Sequence, residues 1–248
     1  MLRHPLARVF ALTAVVTVAV LLTGCFGSTT QVRVTSEYTQ QIKTVGVVSL
    51  LHPWPHVSHL KSSAMESEFG DAALAGWNAE ALVRQTIVPR LQRKGFTVTM
   101  LVPDGALAAA RDSDWRAPEA ASIAEAAYAA GAAAGFDTLV VVQAEVSADF
   151  VTDTNQKIRG YGIQRAFDSE PFVYAALFVE AYDIKRRFVV GRAEGRVVEP
   201  AVAGAWIAPY DSIDGRLEVD GAAATALGEQ IARVLANTVG AGLQEVGL

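Results

Sequence analysis

The order of apolar and polar positions divides the chain into an apolar leader, a polar stretch and a series of strand and helix patterns. Residues 9–22 are apolar and follow Arg3 and Arg8, as in a secretory signal. Helical residues over that span rise about 21 Å, less than the roughly 30 Å hydrocarbon core of a bilayer. The leader is therefore predicted to be a cleaved signal peptide covering residues 1–24.

Beyond residue 40 the pattern predicts strands and helices that alternate along the chain. The predicted strands are 44–50, 96–100, 138–146, 172–182 and 188–198. The predicted helices are 71–94, 118–134 and 221–243, the first capped by Asp71 and kinked at Pro89. The order β-α-β-α-β-β-β-α predicts a single α/β domain over residues 41–248, with a mixed sheet in two or three layers.

Residues 147–170 are predicted to be a polar connection between strands. Within it, Gly160 and Gly162 flank Tyr161, a pattern more typical of a turn than of a cofactor-binding loop. Asp149 and Asp153 could form a carboxylate pair, but paired carboxylates on a loop are usually solvated.

Strands 172–182 and 188–198 form the clearest predicted hairpin, and its two faces differ. If Tyr182 pairs with Phe188, one face carries small residues that suit close helix packing. The other face mixes charged residues with Phe172, Tyr174, Phe178 and Tyr182. Such a mixture suits a surface that meets water or a partner protein. The preferred interpretation is that residues 147–170 and 199–220 cover this face, since large apolar patches are usually covered on monomers. The alternative is that the face binds another protein.

Composition is that of a folded acidic domain. Apolar residues make up 51% of the chain and charged residues 19%, which is enough to build a core. The formal net charge is −5, so the chain offers no basic footprint for nucleic acid. The sequence contains neither a nucleophile elbow nor a phosphate-binding glycine loop, which favours a protein that is not an enzyme and has no cofactor.

A histidine cluster supports the competing hypothesis of a metal-dependent enzyme. His52, His56 and His59 follow the first strand, and imidazole is a common zinc ligand. Pro53 and Pro55 prevent the regular helix that would place two histidines on one face. Solvent-facing loop histidines are therefore the preferred interpretation.

The single cysteine, Cys25, directly follows the apolar leader. Leu22-Thr23-Gly24-Cys25 resembles a bacterial lipobox at each position. The resemblance implies cleavage before Cys25, lipid on its thiol and acylation of its new amino group, which together would hold the chain on a membrane. Phe26 stands where inner-membrane lipoproteins usually carry Asp, which implies the outer membrane. Residues 25–40, rich in Ser, Thr and Gln, are predicted to be a flexible tether.

The domain itself resembles a group of periplasmic α/β lipoproteins, those related to the curli secretion channel subunit and to penicillin-binding-protein activators. The resemblance rests on the lipobox, residues 45–50, the Gly135-Phe136-Asp137 step and the hairpin over residues 174–198. It implies a lipid-anchored scaffold or accessory module that faces the periplasm and binds another envelope protein. No long stretch alternates as lipid-facing strands do, so a pore is not expected.

Overall fold

The computed structural model describes residues 31–63, 65–112, 120–154, 156–202, 216–219 and 221–248. The predicted signal peptide, the lipobox and Cys25 lie outside these residues. The described helices are α1 (Ser36–Gln41), α2 (Ala79–Arg93), α3 (Gly105–Asp112), α4 (Ala120–Ala134) and α5 (Gly221–Val246). The described strands are β1 (Thr44–Leu50), β2 (His56–Leu60), β3 (Glu68–Leu74), β4 (Thr97–Leu101), β5 (Thr138–Ala144), β6 (Val146–Ala148), β7 (Lys157–Arg159), β8 (Tyr161–Ala166), β9 (Phe172–Asp183), β10 (Phe188–Pro200) and β11 (Arg216–Val219).

The predicted fold class is confirmed: the chain folds into an α/β domain with a mixed sheet. The helix predicted to begin at Asp71 is wrong at its start, because residues 68–74 form β3 and α2 begins at Ala79. Asn78 caps α2 instead, and its side-chain oxygen accepts a hydrogen bond from the Ala81 N–H at 2.8 Å. Helix α2 continues through Pro89 to Arg93.

Two segments expected to be irregular contain regular structure. Strand β2 follows Pro55, and β6, β7 and β8 lie within the predicted polar connection over residues 147–170. Residues 36–40, expected in the flexible tether, belong to α1, in which Tyr38 is buried and hydrogen-bonded to Thr138 at 2.8 Å. The folded unit therefore includes the chain from residue 31 onward.

The nine-stranded main sheet has the order β11-β3-β2-β8-β9-β5-β1-β4, with β10 paired along the other edge of β9. Strand β1 is parallel to β4 and β5, whereas β9 is antiparallel to β5, β8 and β10. Strand β8 pairs with the first part of β9 and β5 pairs with the last part, on the same edge. At the junction, Ala176 donates to the Gly160 carbonyl at 2.6 Å and accepts from the Glu145 N–H at 2.9 Å.

Helices cover both faces of the sheet, so the domain has three layers. One face packs on α2 and α5. The part of the other face that β1, β4, β5 and the end of β9 form packs on α3 and α4. The hairpin contacts α5 closely, because a Cβ at Gly195 would lie 2.8 Å from the Thr238 methyl group and one at Gly191 would lie 2.6 Å from Val246. The expectation that the small-residue face suits helix packing is confirmed.

The predicted hairpin register is wrong by one residue at the turn. Phe188 pairs with Asp183 and Val189 with Tyr182. An irregularity between Val189 and Gly191 then brings Gly191 opposite Ala181. This shift restores the predicted grouping of small residues on one face for the remainder of β10.

The two ends of β9 define two ends of the domain. At the Asp183 end, the amino-terminal segment joins the fold: Val32 bridges Arg192, and the Val34 N–H donates to the Val246 carbonyl at 2.7 Å. We call this the anchor end (residues 31–34, 183–188 and 246–248). Near the Phe172 end, β2 and β8 finish beside each other, and the Phe167 N–H donates to Leu60 O at 2.7 Å. Among the described residues, no helix combines the length and the apolar character needed to cross a membrane.

Candidate functional site

His56 and Asp71 face each other across neighbouring antiparallel strands. They occupy directly opposite positions of β2 and β3, where side chains of the two strands come closest on one face. The His56 Nδ1 atom lies 2.7 Å from an Asp71 carboxylate oxygen, which is a charge-assisted hydrogen bond. His56 is buried, whereas the Asp71 side chain is 27% exposed.

His52 joins this pair from the connection between β1 and β2. Its imidazole stacks on that of His56, with ring centroids 5.2 Å apart and planes at 23°. Its Nε2 atom lies 3.7 Å from the second Asp71 carboxylate oxygen. Two imidazoles and one carboxylate therefore converge, and we call this group the His–Asp cluster (His52, His56 and Asp71).

The backbone around the His–Asp cluster is held by β8. The Tyr161 hydroxyl donates to the His52 carbonyl at 2.6 Å, and Trp77 stacks on the Tyr161 ring at 5.8 Å. Gly162 pairs with His56, and a Cβ at Gly162 would lie 2.0 Å from the His56 carbonyl oxygen. Gly160 and Gly162 were expected to serve a turn; instead Gly162 lies within β8 and allows this close approach, whereas Gly160 adopts a φ of 61° at the junction with β9.

His59 lies apart from the cluster. It is three positions from His56 in a strand, so its side chain points to the opposite face. Its Nε2 atom donates to the Phe167 carbonyl at 3.0 Å, and its Nδ1 lies 3.5 Å from Glu68. Lys61 also binds the Glu68 carboxylate, at 2.6 Å. The expectation that His52, His56 and His59 act together is wrong, because Asp71 takes the third position.

The expectation of solvent-facing loop histidines is also wrong for His56. Burial disfavours the charged imidazolium and lowers the pKa of His56, although the hydrogen bond and charge of Asp71 oppose the effect. Electrostatic interactions with His52 and Arg159 act in the same direction as burial. His56 is therefore held neutral near pH 7, the form in which imidazole binds metals.

The aromatic face expected to bind a partner is largely covered. Tyr174 and Tyr182 are buried, and Phe172 and Phe178 are half-buried. The Tyr174 hydroxyl donates to the Arg159 carbonyl at 3.2 Å, and the Tyr182 hydroxyl donates to Glu180 at 2.6 Å. The partner prediction is wrong for both tyrosines, because β7 covers the first and α4 contributes Tyr128 against the second. The preferred interpretation, in which residues 147–170 and 199–220 cover this face, agrees with the contact of Arg159 with Tyr174, while residues 203–215 lie outside the described part of the chain.

Asp149 binds several groups of the predicted connection over residues 147–170, which lies against the aromatic face. Its carboxylate accepts hydrogen bonds from the N–H groups and hydroxyls of Thr152 and Thr154 and from Gln164, at 2.6–3.0 Å. Burial alone would raise the pKa of Asp149, but the hydrogen bonds from Thr152 and Thr154 outweigh it and lower the pKa to about 2. Asp149 is buried and Asp153 is exposed, so the two do not form a solvated carboxylate pair.

Sequence reasoning missed Asp71 because its place depends on a long-range contact. Asp71 stands between a glycine and two alanines, a context that suited a helix cap. Its role requires strand β3 to pair with β2 in a register that sets it opposite His56. The available signal was weak: apolar and polar residues alternate only partly over residues 57–60 after His56, and a short apolar stretch follows Asp71.

Comparison with known proteins leaves the family open. No family model and no curated protein matches the chain. Among solved structures, protein XCC0632 from Xanthomonas campestris is 13% identical with a TM-score of 0.40, covering 88% of this chain and 93% of its own. Lipoprotein GNA1162 from Neisseria meningitidis is 10% identical with a TM-score of 0.31, covering 64% and 84%. The LpoB C-terminal domain from Salmonella enterica is 11% identical with a TM-score of 0.26, covering 63% and 83%. Scores this low assign no function to this chain.

Replacement of Asp149 should weaken the segment that covers the aromatic face. The lowered pKa of Asp149 contributes stability that is present above its unfolded pKa of about 4 and lost as pH falls toward 2. A shift of this size corresponds to about 2 kcal/mol of unfolding free energy. We expect Asp149→Asn to lower stability by about that amount at pH 7 in urea unfolding, with the difference shrinking between pH 4 and pH 2.

Asp153→Asn is the matched control, since Asp153 is exposed and its φ of 54° suits Asn. The urea unfolding curve of Asp153→Asn should overlay that of the wild type at pH 7 and also between pH 4 and pH 2. Equal loss in the two variants would show that Asp149 has no special role.

Proposed function

We propose that this chain is a cell-envelope lipoprotein, anchored through Cys25 in the outer membrane and facing the periplasm. Its α/β domain would serve as a non-enzymatic binding or accessory module for another envelope protein. The observation that carries the proposal is the short chain distance between Cys25 and the fold. Val32 already bridges β10, seven residues after Cys25.

The distance limits where the domain can sit. Seven residues span at most about 25 Å when fully extended. An acylated Cys25 would therefore keep the anchor end of the domain close to the lipid headgroups. Exposed basic residues at this end, Lys43, Lys94 and Lys185, would meet the headgroups without an energetic penalty from like charge on anionic lipids.

The opposite end carries an exposed hydrophobic group. Met65, Phe69 and Phe167 are 97%, 41% and 55% exposed. They surround the end of β2, because His59 pairs with Glu68 on one side and contacts the Phe167 carbonyl on the other. We call these three residues the apolar tip. Adjacent exposed apolar side chains favour a protein-binding surface.

The apolar tip would replace the hairpin face as the partner surface. Strand β9 separates it from the anchor end by about 35–40 Å, given roughly 3.3 Å for each strand residue. A partner in the periplasm or in the peptidoglycan layer would meet the tip first. The proposal thus combines an anchor at one end of β9 with a contact surface at the other.

Substitution of Cys25 tests the anchor. Cys25→Ser should abolish incorporation of radiolabelled palmitate and move the protein from the outer-membrane fraction to the soluble fraction, because the thiol carries the diacylglycerol. Ser28→Ala, three residues away, should keep both the label and the outer-membrane fractionation. Palmitate label on Cys25→Ser would contradict the lipoprotein assignment.

Site-specific photo-crosslinking tests the partner surface. A photoreactive residue at Met65 or Phe69 should give the same discrete protein adduct in intact cells. The same probe at Phe188, which is 45% exposed at the anchor end, should not give that adduct. Adducts of equal yield from Phe188 and from the tip positions would remove the tip as a specific surface.

A further inference from the structure

We propose that the His–Asp cluster binds one divalent transition-metal ion of the zinc class. This inference is independent of the proposed function, because it rests on side chains of β2, β3 and the β1–β2 connection and not on the anchor or the apolar tip. The three donor atoms all lie within 4.8 Å of one another. Imidazole nitrogen and carboxylate oxygen are the ligands that zinc takes from proteins in three-residue sites.

The hydrogen bonds of His52 fix which of its nitrogens is available. Its Nδ1 atom lies 3.0 Å from the Trp54 carbonyl oxygen and 3.3 Å from the Trp54 nitrogen, so the backbone of Trp54 takes up this ring nitrogen. The other ring nitrogen, Nε2, faces Asp71 at 3.7 Å and is the one placed to bind an ion.

The Nε2 atom of His52 and the Asp71 carboxylate can both offer lone pairs to a cation placed between them. In the tautomer with the proton on Nδ1, the contact with the Trp54 carbonyl is the outer-shell bond that metal-bound histidines usually make, since it orients the ring.

The observed spacing lies in the range from which a zinc site can close. Zinc–nitrogen and zinc–oxygen bonds of about 2.0–2.2 Å at tetrahedral angles put neighbouring ligand atoms about 3.3 Å apart. His52 lies 3.7 Å from one Asp71 carboxylate oxygen and His56 lies 2.7 Å from the other, and the three ligand atoms fall within 4.8 Å of one another. The side chains therefore have to move closer together around an ion.

The other features of the cluster suit metal binding. Coordination through Nδ1 of His56, the atom that faces Asp71, would move the proton of the neutral imidazole to Nε2. Hydrogen bonding to Tyr161 holds the His52 backbone, and strand pairing holds His56 and Asp71. His52 and Asp71 are 22% and 27% exposed, so an ion can enter and water can complete the coordination.

His59 and Glu68 show what a cross-strand pair without this role looks like. They also lie opposite each other on β2 and β3. There, Lys61 supplies a cation to Glu68, and the Phe167 carbonyl accepts a hydrogen bond from His59. That pair lacks a second histidine, so it provides a matched control on the same two strands.

Metal titration of the full-length, untagged protein in detergent tests the proposal. After treatment with a chelator, we expect Zn²⁺ to bind at one ion per chain by elemental analysis, and Co²⁺ to give visible absorption typical of low coordination number. His52→Ala should weaken Zn²⁺ binding at least tenfold in a competition assay. The loss of the third ligand explains the effect, and the melting temperature without metal should stay unchanged because the His56–Asp71 bond remains.

His59→Ala should bind Zn²⁺ with wild-type affinity. Asp71→Asn, which keeps the shape of the side chain, should also weaken binding at least tenfold. Failure of the wild type to retain stoichiometric Zn²⁺ or Co²⁺ would overturn the proposal, as would equal affinity in His52→Ala and the wild type. Neither outcome affects the Cys25 and crosslinking tests, so the two proposals fail separately.

Discussion

Strand β9 pairs along one edge with two strands, β8 and β5, each of which begins its own set of neighbouring strands. The arrangement of the rest of the domain depends on this shared pairing. Its last seven residues pair with β5 and its first four with β8. Ala176 closes the junction by bonding to both Gly160 and Glu145. Each set then brings its own strands: β1 and β4 follow β5, while β2, β3 and β11 follow β8. We call this point, where the sheet divides between β5 and β8, the fork. The Ala176 N–H and carbonyl are both hydrogen-bonded there, so the division leaves neither group unsatisfied.

The fork explains why the candidate sites lie where they do. The β8 set carries the His–Asp cluster on β2 and β3, together with the apolar tip at their ends. The β5 set and the hairpin carry the anchor end, where the amino-terminal segment is bonded to β10 and α5. The small residues Gly191, Gly195 and Gly242 let α5 lie against the hairpin. In the proposed arrangement, the lipid anchor and the contact surface lie at opposite ends of β9.

Sequence patterns predicted the β5 set well and the β8 set poorly, for a physical reason. Residues 44–50 and 138–144 are long β-branched runs buried on both faces, and such runs are recognisable without knowing their neighbours. Strand β2 mixes two histidines and a serine with two apolar residues, and His56 and Ser58 are buried where β3 and β8 flank it. The role of Asp71 was missed for the same reason, since its partner His56 is fifteen residues earlier and comes close only through strand pairing. The histidines themselves were found, but which of them act together depends on the alternation of faces in β2.

The most direct test of the proposed architecture is a distance measurement from the membrane surface. Full-length lipidated protein would be placed in vesicles with an acceptor dye on the lipid headgroups, and a donor dye attached through Lys185→Cys or through Met65→Cys. The structure places Lys185 at the anchor end and Met65 at the tip, roughly 40 Å apart along β9. Energy transfer should be much stronger from position 185 than from position 65. Equal transfer, or stronger transfer from position 65, would contradict a domain that stands on its anchor end and presents its tip to a partner.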